Sequence, residues 1–315
     1  MKVLITGGAG FIGYHTALKF KSLGHNVTCI DNFNDVIYDS DLKRSRADEL
    51  KKKDIECHYA EMRDIDSMEW IFSDADKRPE LVIHLAAHAG VRTSMNKQQE
   101  YIQNNIAATQ NLIDLMEKYD VNHVIHASTS CTMEGNPLPW GPDEKLGKQL
   151  NPYGLSKQTN ENQFHISNIK HVTCLRFFTV YGPWGRPDMA LFSFTKDIMQ
   201  DKPITVFNNG DMKRDFTYVD DIVQGIELVS KHKFDRETFC IGYGEQVQLM
   251  DFIEHIEKNL GNKTAEKIFK ERHPADALET WSDITKIKEM TGYIPTTSIK
   301  DGIYNFIEWY KGYYA

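Results

Sequence analysis

Lys2-Val3-Leu4-Ile5-Thr6-Gly7-Gly8-Ala9-Gly10-Phe11-Ile12-Gly13 is the stretch on which the fold turns. Lys2 to Thr6 reads as a buried apolar strand, and the glycines that follow, spaced Gly-x-x-Gly-x-x-Gly, make a tight turn into an amphipathic stretch after Phe11. A strand passing directly into a helix leaves the first helical N–H groups unpaired, and their dipole favours an anion such as a pyrophosphate laid against the turn. The spacing is one residue longer than the common dinucleotide fingerprint. Asp31 ends a second apolar run, residues 27–31, about 20 residues beyond the turn, where a carboxylate bonds an adenosine ribose diol and repels a 2′-phosphate. Strand, glycine turn, helix, strand and acid in this register predict a dinucleotide site, with NAD favoured over NADP.

The pattern repeats further along the chain. Apolar runs at 81–86, 121–128 and 172–178 alternate with helical patterns such as 17–23 and 101–119. This alternation predicts an α/β fold, a Rossmann-type doubly wound parallel sheet with ligands at the carboxyl ends of its strands. Past Phe178 a Pro- and Gly-punctuated segment, Tyr181-Gly182-Pro183-Trp184-Gly185-Arg186-Pro187, leads into short elements with a turn at Asn208-Asn209-Gly210-Asp211. The change predicts a smaller α/β substrate-binding lobe. A chain of 315 residues suits two lobes better than one core, and the expected division gives 1–178 and 217–241 to the NAD-binding domain and 179–216 and 242–315 to the second lobe.

Composition narrows the partners. A hydrophobic share of 41% with 26% charged residues belongs to a globular protein, and a net charge of −8 argues against nucleic acid or an anionic membrane surface. The apolar start is broken by glycines and lacks a cleavage-site pattern, and no other segment approaches a membrane span, so a cytoplasmic protein with no membrane partner is expected. Cys29, Cys57, Cys131, Cys174 and Cys240 are scattered without a Cys-x-x-Cys pair, which indicates neither a disulfide framework nor zinc. His84 and His88 flank a strand end with no third ligand in view, and no metal is expected. Lys51-Lys52-Lys53 stands among Asp48, Glu49 and Asp54 and reads as a solvated helix end.

Asn151-Pro152-Tyr153-Gly154-Leu155-Ser156-Lys157 puts a phenol and an ammonium four residues apart on one helical face, where the cation can lower the phenol pKa and make it a usable base. Tyr-x-x-x-Lys alone is common on exposed helices. Its place after a run ending in Ala127-Ser128-Thr129-Ser130 gives it weight. With the glycine turn, it resembles the nicotinamide enzymes of the short-chain dehydrogenase/reductase type, in which a hydroxyl at that strand end bonds the reacting oxygen and the lysine holds the nicotinamide ribose.

The segment Arg176-Phe177-Phe178-Thr179-Val180-Tyr181-Gly182-Pro183-Trp184-Gly185-Arg186-Pro187-Asp188-Met189-Ala190 resembles the hallmark of the UDP-glucuronate 4-epimerases within the extended branch of that group. His84-Leu85-Ala86-Ala87-His88-Ala89-Gly90-Val91-Arg92, Arg214-Asp215-Phe216-Thr217-Tyr218-Val219-Asp220-Asp221 and Phe306-Ile307-Glu308-Trp309-Tyr310 fit the same family, so the resemblance spans essentially the whole chain. It implies that Gly7, Gly10, Phe11, Ile12, Gly13, Asp31, Asn32, Ala86, Ala87, Asn105, Tyr153 and Lys157 surround NAD. It further implies that Thr129 and Tyr153 flank a sugar 4-hydroxyl, and that Ser128 and Ser130 lie against the substrate. Arg214 and Asp276 would take the nucleotide diphosphate end, with Arg92, Thr179 and Arg186 at the sugar end. Tyr153 as phenolate, with Thr129 and Lys157, would pass carbon 4 of a nucleotide sugar through a 4-keto form and invert it. The family also implies a homodimer through helices here near 98–119 and 153–168.

The chain departs from the family in three places. Cys131-Thr132-Met133-Glu134 replaces the usual Ser-Val-Tyr-Gly, Tyr153-Gly154-Leu155-Ser156-Lys157 the usual Tyr-Ala-Ala-Thr-Lys, and Pro274-Ala275-Asp276 the usual Pro-Gly-Asp. These changes fall on the wall of the sugar pocket and leave open epimerisation, 4-dehydrogenation or dehydration of another nucleotide-linked sugar. Dehydratases carry Asp-Glu directly after the strand-end threonine, and decarboxylases a Glu, where this chain has Ser130 and Cys131. A cofactor-bound protein without activity is a further alternative, against which the complete set Thr129, Tyr153 and Lys157 argues.

Overall fold

The computed structural model describes residues 1–274 and 276–314. Seven strands form one sheet: β1 (Lys2–Thr6), β2 (Asn26–Asp31), β3 (Glu56–Tyr59), β4 (Leu81–His84), β5 (His123–Thr129), β6 (His171–Phe177) and β7 (Arg236–Ile241). Their order is 3-2-1-4-5-6-7 and every pair is parallel. β4 and β5 are buried at every residue, and their apolar stretches Leu81-Val82-Ile83 and Val124-Ile125 carry the sequence signal even though His84, His123, His126, Ser128 and Thr129 are buried with them. β4 stops at His84, two residues before the expected Ala86, where the chain turns away: the Leu85 N–H donates to the Thr6 carbonyl and the Ala86 N–H to the Thr6 hydroxyl.

Side chains of β1 alternate between two cores, as a pleated strand demands. Val3 and Ile5 join Phe20, Ile83, Ile125 and Leu175 on one face, while Leu4 joins Val82, Leu112, Met116, Val124 and Phe164 on the other. The first core runs on without a break into Tyr181, Phe216, Phe252, Phe306 and Tyr310, where Phe216 and Phe252 stack at 4.1 Å. Those residues belong to the small strand pair Thr179–Tyr181 with Phe216–Tyr218 and to the helices Leu249–Asn259 and Ile299–Tyr314, and Ile204 and Val206 bring a second pair, Ile204–Phe207 with Lys267–Lys270, into the same core.

Four helices matter for the cleft: α1 (Phe11–Ser22), α2 (Asp41–Lys51), α3 (Pro152–Ile166) and α4 (Ile299–Tyr314). α2 ends on the exposed Lys51, so the basic run is a helix end in solvent. The expected helix over 101–119 is interrupted. A helical turn at Gln98–Tyr101 passes into a π-helical segment, Ile102–Ala107, before the regular helix Ala108–Lys118 begins. The extra residue per turn rotates Asn105 into the interior, where it is 1% exposed, a distortion that periodicity cannot reveal.

The strand order reverses between β1 and β4, and the glycine turn stands at that point. Gly7 has φ +71, and a Cβ there would stand 2.8 Å from the Ala86 nitrogen. A Cβ on Gly13 would stand 2.1 Å from the Gly7 carbonyl oxygen, so α1 can lie this close to β1 only with glycine at that site. Gly10 begins α1 with no side-chain cap and no acid in the first turn, which leaves the helical N–H groups to a ligand. Gly13→Ala is therefore expected to cost about 1–3 kcal/mol as an overpacked site, read from the denaturation midpoint, together with loss of cofactor affinity. Unchanged stability and affinity would contradict this account of the turn.

Candidate active site

A cleft with a volume of about 880 Å³ runs from the glycine turn, across the carboxyl ends of β1, β4 and β5, to the small strand pairs. Gly7, Gly10, Phe11, Ile12, Gly13, Asp31, Asn32, Ala86 and Ala87 line its first half. Asp31 is buried at the end of β2; its carboxylate accepts from the Ala9 N–H at 3.2 Å and the Phe33 N–H at 2.8 Å. Burial pushes its pKa up, and Lys43 is the strongest influence pulling it back down. The Asn32 amide donates to Glu61 at 3.1 Å, and Glu61, held down to about 2 against its own burial by Arg63 and Asn32, also lines the cleft. These features fit NAD: a free helix end for the pyrophosphate, a buried carboxylate at the ribose position and glycines where any Cβ would fill the turn.

Asn105 does not line the cleft as expected. Its amide oxygen accepts from the His88 N–H at 2.7 Å, and its nitrogen donates to the His88 carbonyl and to the Ser156 hydroxyl. It ties the loop after β4 to α3 from behind, and the cleft is lined by its neighbour Asn104 instead.

α3 starts one residue before Tyr153. Asn151 accepts from the Gly154 N–H at 2.8 Å and Pro152 occupies the first turn, so capping fixes where the phenol projects. Thr129 ends β5, and its hydroxyl bonds toward the phenol. The Lys157 ammonium donates to the Ala127 carbonyl at 2.7 Å. The electrostatics differ from the sequence expectation. Burial, with Cys131 beside it, pushes the Tyr153 phenol up to about 12, and the opposing influences are Arg186 and the Thr129 hydroxyl rather than Lys157. Lys157 is itself pulled down to about 7 by burial, against the raising influence of Cys174 and Glu161. Desolvation is the largest influence on both groups.

The substrate candidates separate into groups. Ser130, Thr179, Arg186, Arg214, Arg92 and Asp276 all line the second half of the cleft. Arg186 is paired through Nε and Nη2 with Asp188, and its Nη1 has no hydrogen bond among the described residues. Arg92 and Asp276, assigned to opposite ends of the substrate, form an ion pair with each other, and Arg92 lies 4.1 Å over the Phe207 ring. Arg214 spends its guanidinium on the carbonyls of Lys213, Ala277 and Leu278. Ser128 borders the cleft, but its hydroxyl donates to Glu161, which also holds Arg176 at 2.8 Å, so this side chain is occupied by a buried ion pair. His84 is fully engaged by Thr6 at 2.7 Å and Thr109 at 3.0 Å, and the Thr6 hydroxyl also accepts from the Ala86 N–H.

The model of the NAD dependent epimerase/dehydratase family matches residues 3–242. This chain belongs to that family. Protein CapI of Staphylococcus aureus is 38% identical over 337 aligned positions, covering 100% of this chain and 99% of its own. A UDP-glucuronate 4-epimerase of Thermodesulfobacterium geofontis is 36% identical over 314, covering 98% and 95%. The crystal structure of UDP-glucuronic acid 4-epimerase from Bacillus cereus, in complex with UDP-glucuronic acid and NAD, matches with a TM-score of 0.92 at 34% identity over the whole of both chains.

Several lining residues of this family member were not singled out by the sequence. Glu61 follows β3, and the rule that ligands sit at strand ends would have found it had Glu56-Cys57-His58-Tyr59 looked like a strand. Tyr38 and Lys43 line the cleft from a loop and a helix and carry no local signal, and His88, weighed above as a metal ligand, lines it as well. The Lys157 shift has a measurable sign. A lysine that is about 7 when folded and 10.5 when unfolded leaves the unfolded chain binding more protons between those values, so its contribution to stability rises with pH across that window. Cofactor-free protein should gain stability from pH 7 to 9, and Lys157→Met should flatten that gain; equal slopes in chemical denaturation would refute the shift.

Proposed function

We propose that this family member is an NAD-dependent nucleotide-sugar 4-epimerase that interconverts UDP-glucuronate and UDP-galacturonate through a transient 4-keto sugar. The observation that carries the reading is the meeting, in one cleft, of the glycine turn, the Tyr153 phenol with Thr129 beside it, and the Arg186 guanidinium close enough to act on that phenol. When bound, NAD supplies the reversible hydride acceptor at sugar carbon 4.

Tyr153 takes the proton of the 4-hydroxyl and, once the keto sugar has turned over and carbon 4 has been reduced again on its opposite face, returns a proton to the same oxygen. For this its phenol must come down from about 12, and the charge of Arg186 and the hydrogen bond from Thr129 both act in that direction. Lys157, anchored on the Ala127 carbonyl, holds its ammonium at the foot of the same helix face for the nicotinamide ribose. A 4-keto uronate is a β-keto acid that loses carbon dioxide easily, so its carboxylate has to be held by hydrogen bonds and kept out of line with the carbonyl. Ser130, Thr179 and the unbonded Nη1 of Arg186 provide donors for that purpose. Dehydration is disfavoured because Ser130 and Cys131 stand where carboxylates would be needed.

A product-chromatography panel of nucleotide sugars tests this reading, with reduced-nicotinamide absorbance followed during turnover. UDP-glucuronate and UDP-galacturonate should interconvert without net NADH, and UDP-glucose should react far more slowly. Tyr153→Phe should keep NAD bound yet lower the rate by about 10²-fold or more, and Arg186→Ala should weaken the preference for the acid sugar. NADH growing with product would establish a dehydrogenase, and carbon dioxide as the main product a decarboxylase.

The proposal includes a cytoplasmic homodimer with the substrate lobe formed by 179–216 and 242–315. Leu155 at 50% and Ile166 at 80% exposure on α3, with Ile102 at 47% on the neighbouring π-helical segment, support an apolar face there that a second copy would cover. Among the described residues no helix is long and apolar enough to cross a membrane. Light scattering should give twice the chain mass, and Leu155→Glu should shift it toward the monomer; a monomeric wild type would end this part of the proposal.

A further inference from the structure

Arg46 is fully buried in α2 and has no carboxylate within ion-pairing distance among the described residues. Buried guanidinium groups are ordinarily paired, because removing the charge from water is costly. Here the charge is met by three neutral oxygens. Nη1 donates to the Ala9 carbonyl at 3.0 Å and the Tyr38 hydroxyl at 3.0 Å, while Nε and Nη2 converge on the Trp184 carbonyl at 3.2 and 2.6 Å.

Each oxygen belongs to a different part of the cleft. Ala9 lies inside the glycine turn, one residue before the free amino end of α1. Tyr38 lines the cleft wall. Trp184 has φ +60, a left-handed conformation that a tryptophan adopts only when its surroundings impose it, and it stands two residues before Arg186. The segment is gripped from α1 as well, where the neutral His15, pulled down to about 4 mainly by burial, donates through Nε2 to the Pro183 carbonyl at 2.9 Å.

We infer that Arg46 is a positioning residue that couples the cofactor half of the cleft to the sugar half. Its charge, met by neutral oxygens at hydrogen-bond range and acting at longer range on Asp31, stands behind the turn against which a pyrophosphate would lie, so an anion bound there adds to its electrostatic balance. Its planar fork holds the Ala9 and Trp184 carbonyls in one fixed relation, so ordering the glycine turn also orders the strained turn that aims Arg186. This rests on the function proposed above, in that Arg186 serves the sugar. Binding of the two ligands should then be mutually reinforcing, by the same factor in either direction.

The test titrates NAD into cofactor-free Tyr153→Phe protein, whose turnover is slowed by about 10²-fold or more, with and without saturating UDP-glucuronate, following tryptophan fluorescence. Far-UV circular dichroism and a denaturation midpoint establish that each variant is folded. The parent should bind NAD about fivefold or more tighter with the sugar nucleotide present. Adding Arg46→Lys keeps the charge but not the fork; it should hold NAD affinity within about threefold and bring the coupling to within twofold of unity. Adding Arg46→Met should lose the coupling and also weaken NAD about tenfold. Coupling that survives in the lysine variant, or is absent in the parent, overturns the inference, and the lysine variant decides it if the methionine one does not fold. Failure of UDP-glucuronate to bind the parent would instead sink the functional reading; the role of the buried charge would still be decided by NAD affinity in the two Arg46 variants.

Discussion

The cleft depends on one close approach. β1 and α1 come together so tightly that the Gly7 carbonyl occupies the space a Gly13 side chain would need, and the Ala86 nitrogen the space of a Gly7 side chain. Such contact between backbones sets three things at once: the free N–H groups of α1 face the cleft, the loop after β4 is drawn against the turn, and Asp31 on the adjacent strand reaches back to the Ala9 N–H. The Thr6 hydroxyl, which accepts from Ala86 and hydrogen-bonds His84, carries the same constraint one strand further. Side-chain chemistry in the first half of the cleft is thus arranged by backbone geometry that only glycine permits.

Burial sets the chemistry of the second half. Tyr153 and Lys157 are arranged as a base and its cationic partner, yet each is pushed toward its uncharged form by the surroundings that position it. His84 and His126 pack 5.2 Å apart under the same helix and are both driven toward neutrality by burial and by the charge of Lys157, so the floor of the site adds no further cation. The residues that lower the Tyr153 phenol, Arg186 and Thr129, come from separate elements. A site assembled from a loop, a strand end and a helix can adjust one group without moving the others.

What the sequence disclosed follows from how each signal arises. β1, β2, β4, β5 and β6 were legible because strands buried on both faces are near-continuous apolar runs, and the glycine turn because its spacing is dictated by contact. β3 escaped because Glu56-Cys57-His58-Tyr59 is a polar edge strand with no alternation to read. Asn105, expected near NAD, lies in the π-helical segment and bonds His88 and Ser156 behind the cleft lining, a placement that spacing alone does not reveal. Arg92 and Asp276 were recognisable as charges, but their pairing joins residues far apart in the chain that periodicity cannot relate. Arg46 lies in a helix with six other charged residues, and only the fold shows it to be the buried one.

The first hydrophobic core has a mechanical consequence. Val3 and Ile5 of the sheet share it with Tyr181, Phe216, Phe252, Phe306 and Tyr310, so the sheet and the small strand pairs cannot swing apart as rigid bodies without tearing a close-packed interior. Traffic of a nucleotide in and out of the cleft must therefore go through thin, local parts of the wall. The bridge from Arg92, 46% exposed, to Asp276 is such a part, since it spans the two sides of the cleft with a water-accessible contact that opens at small cost. The molecule behaves less like a clamshell than like a rigid vessel with a clasp, so exchange can proceed while the catalytic geometry beneath stays fixed.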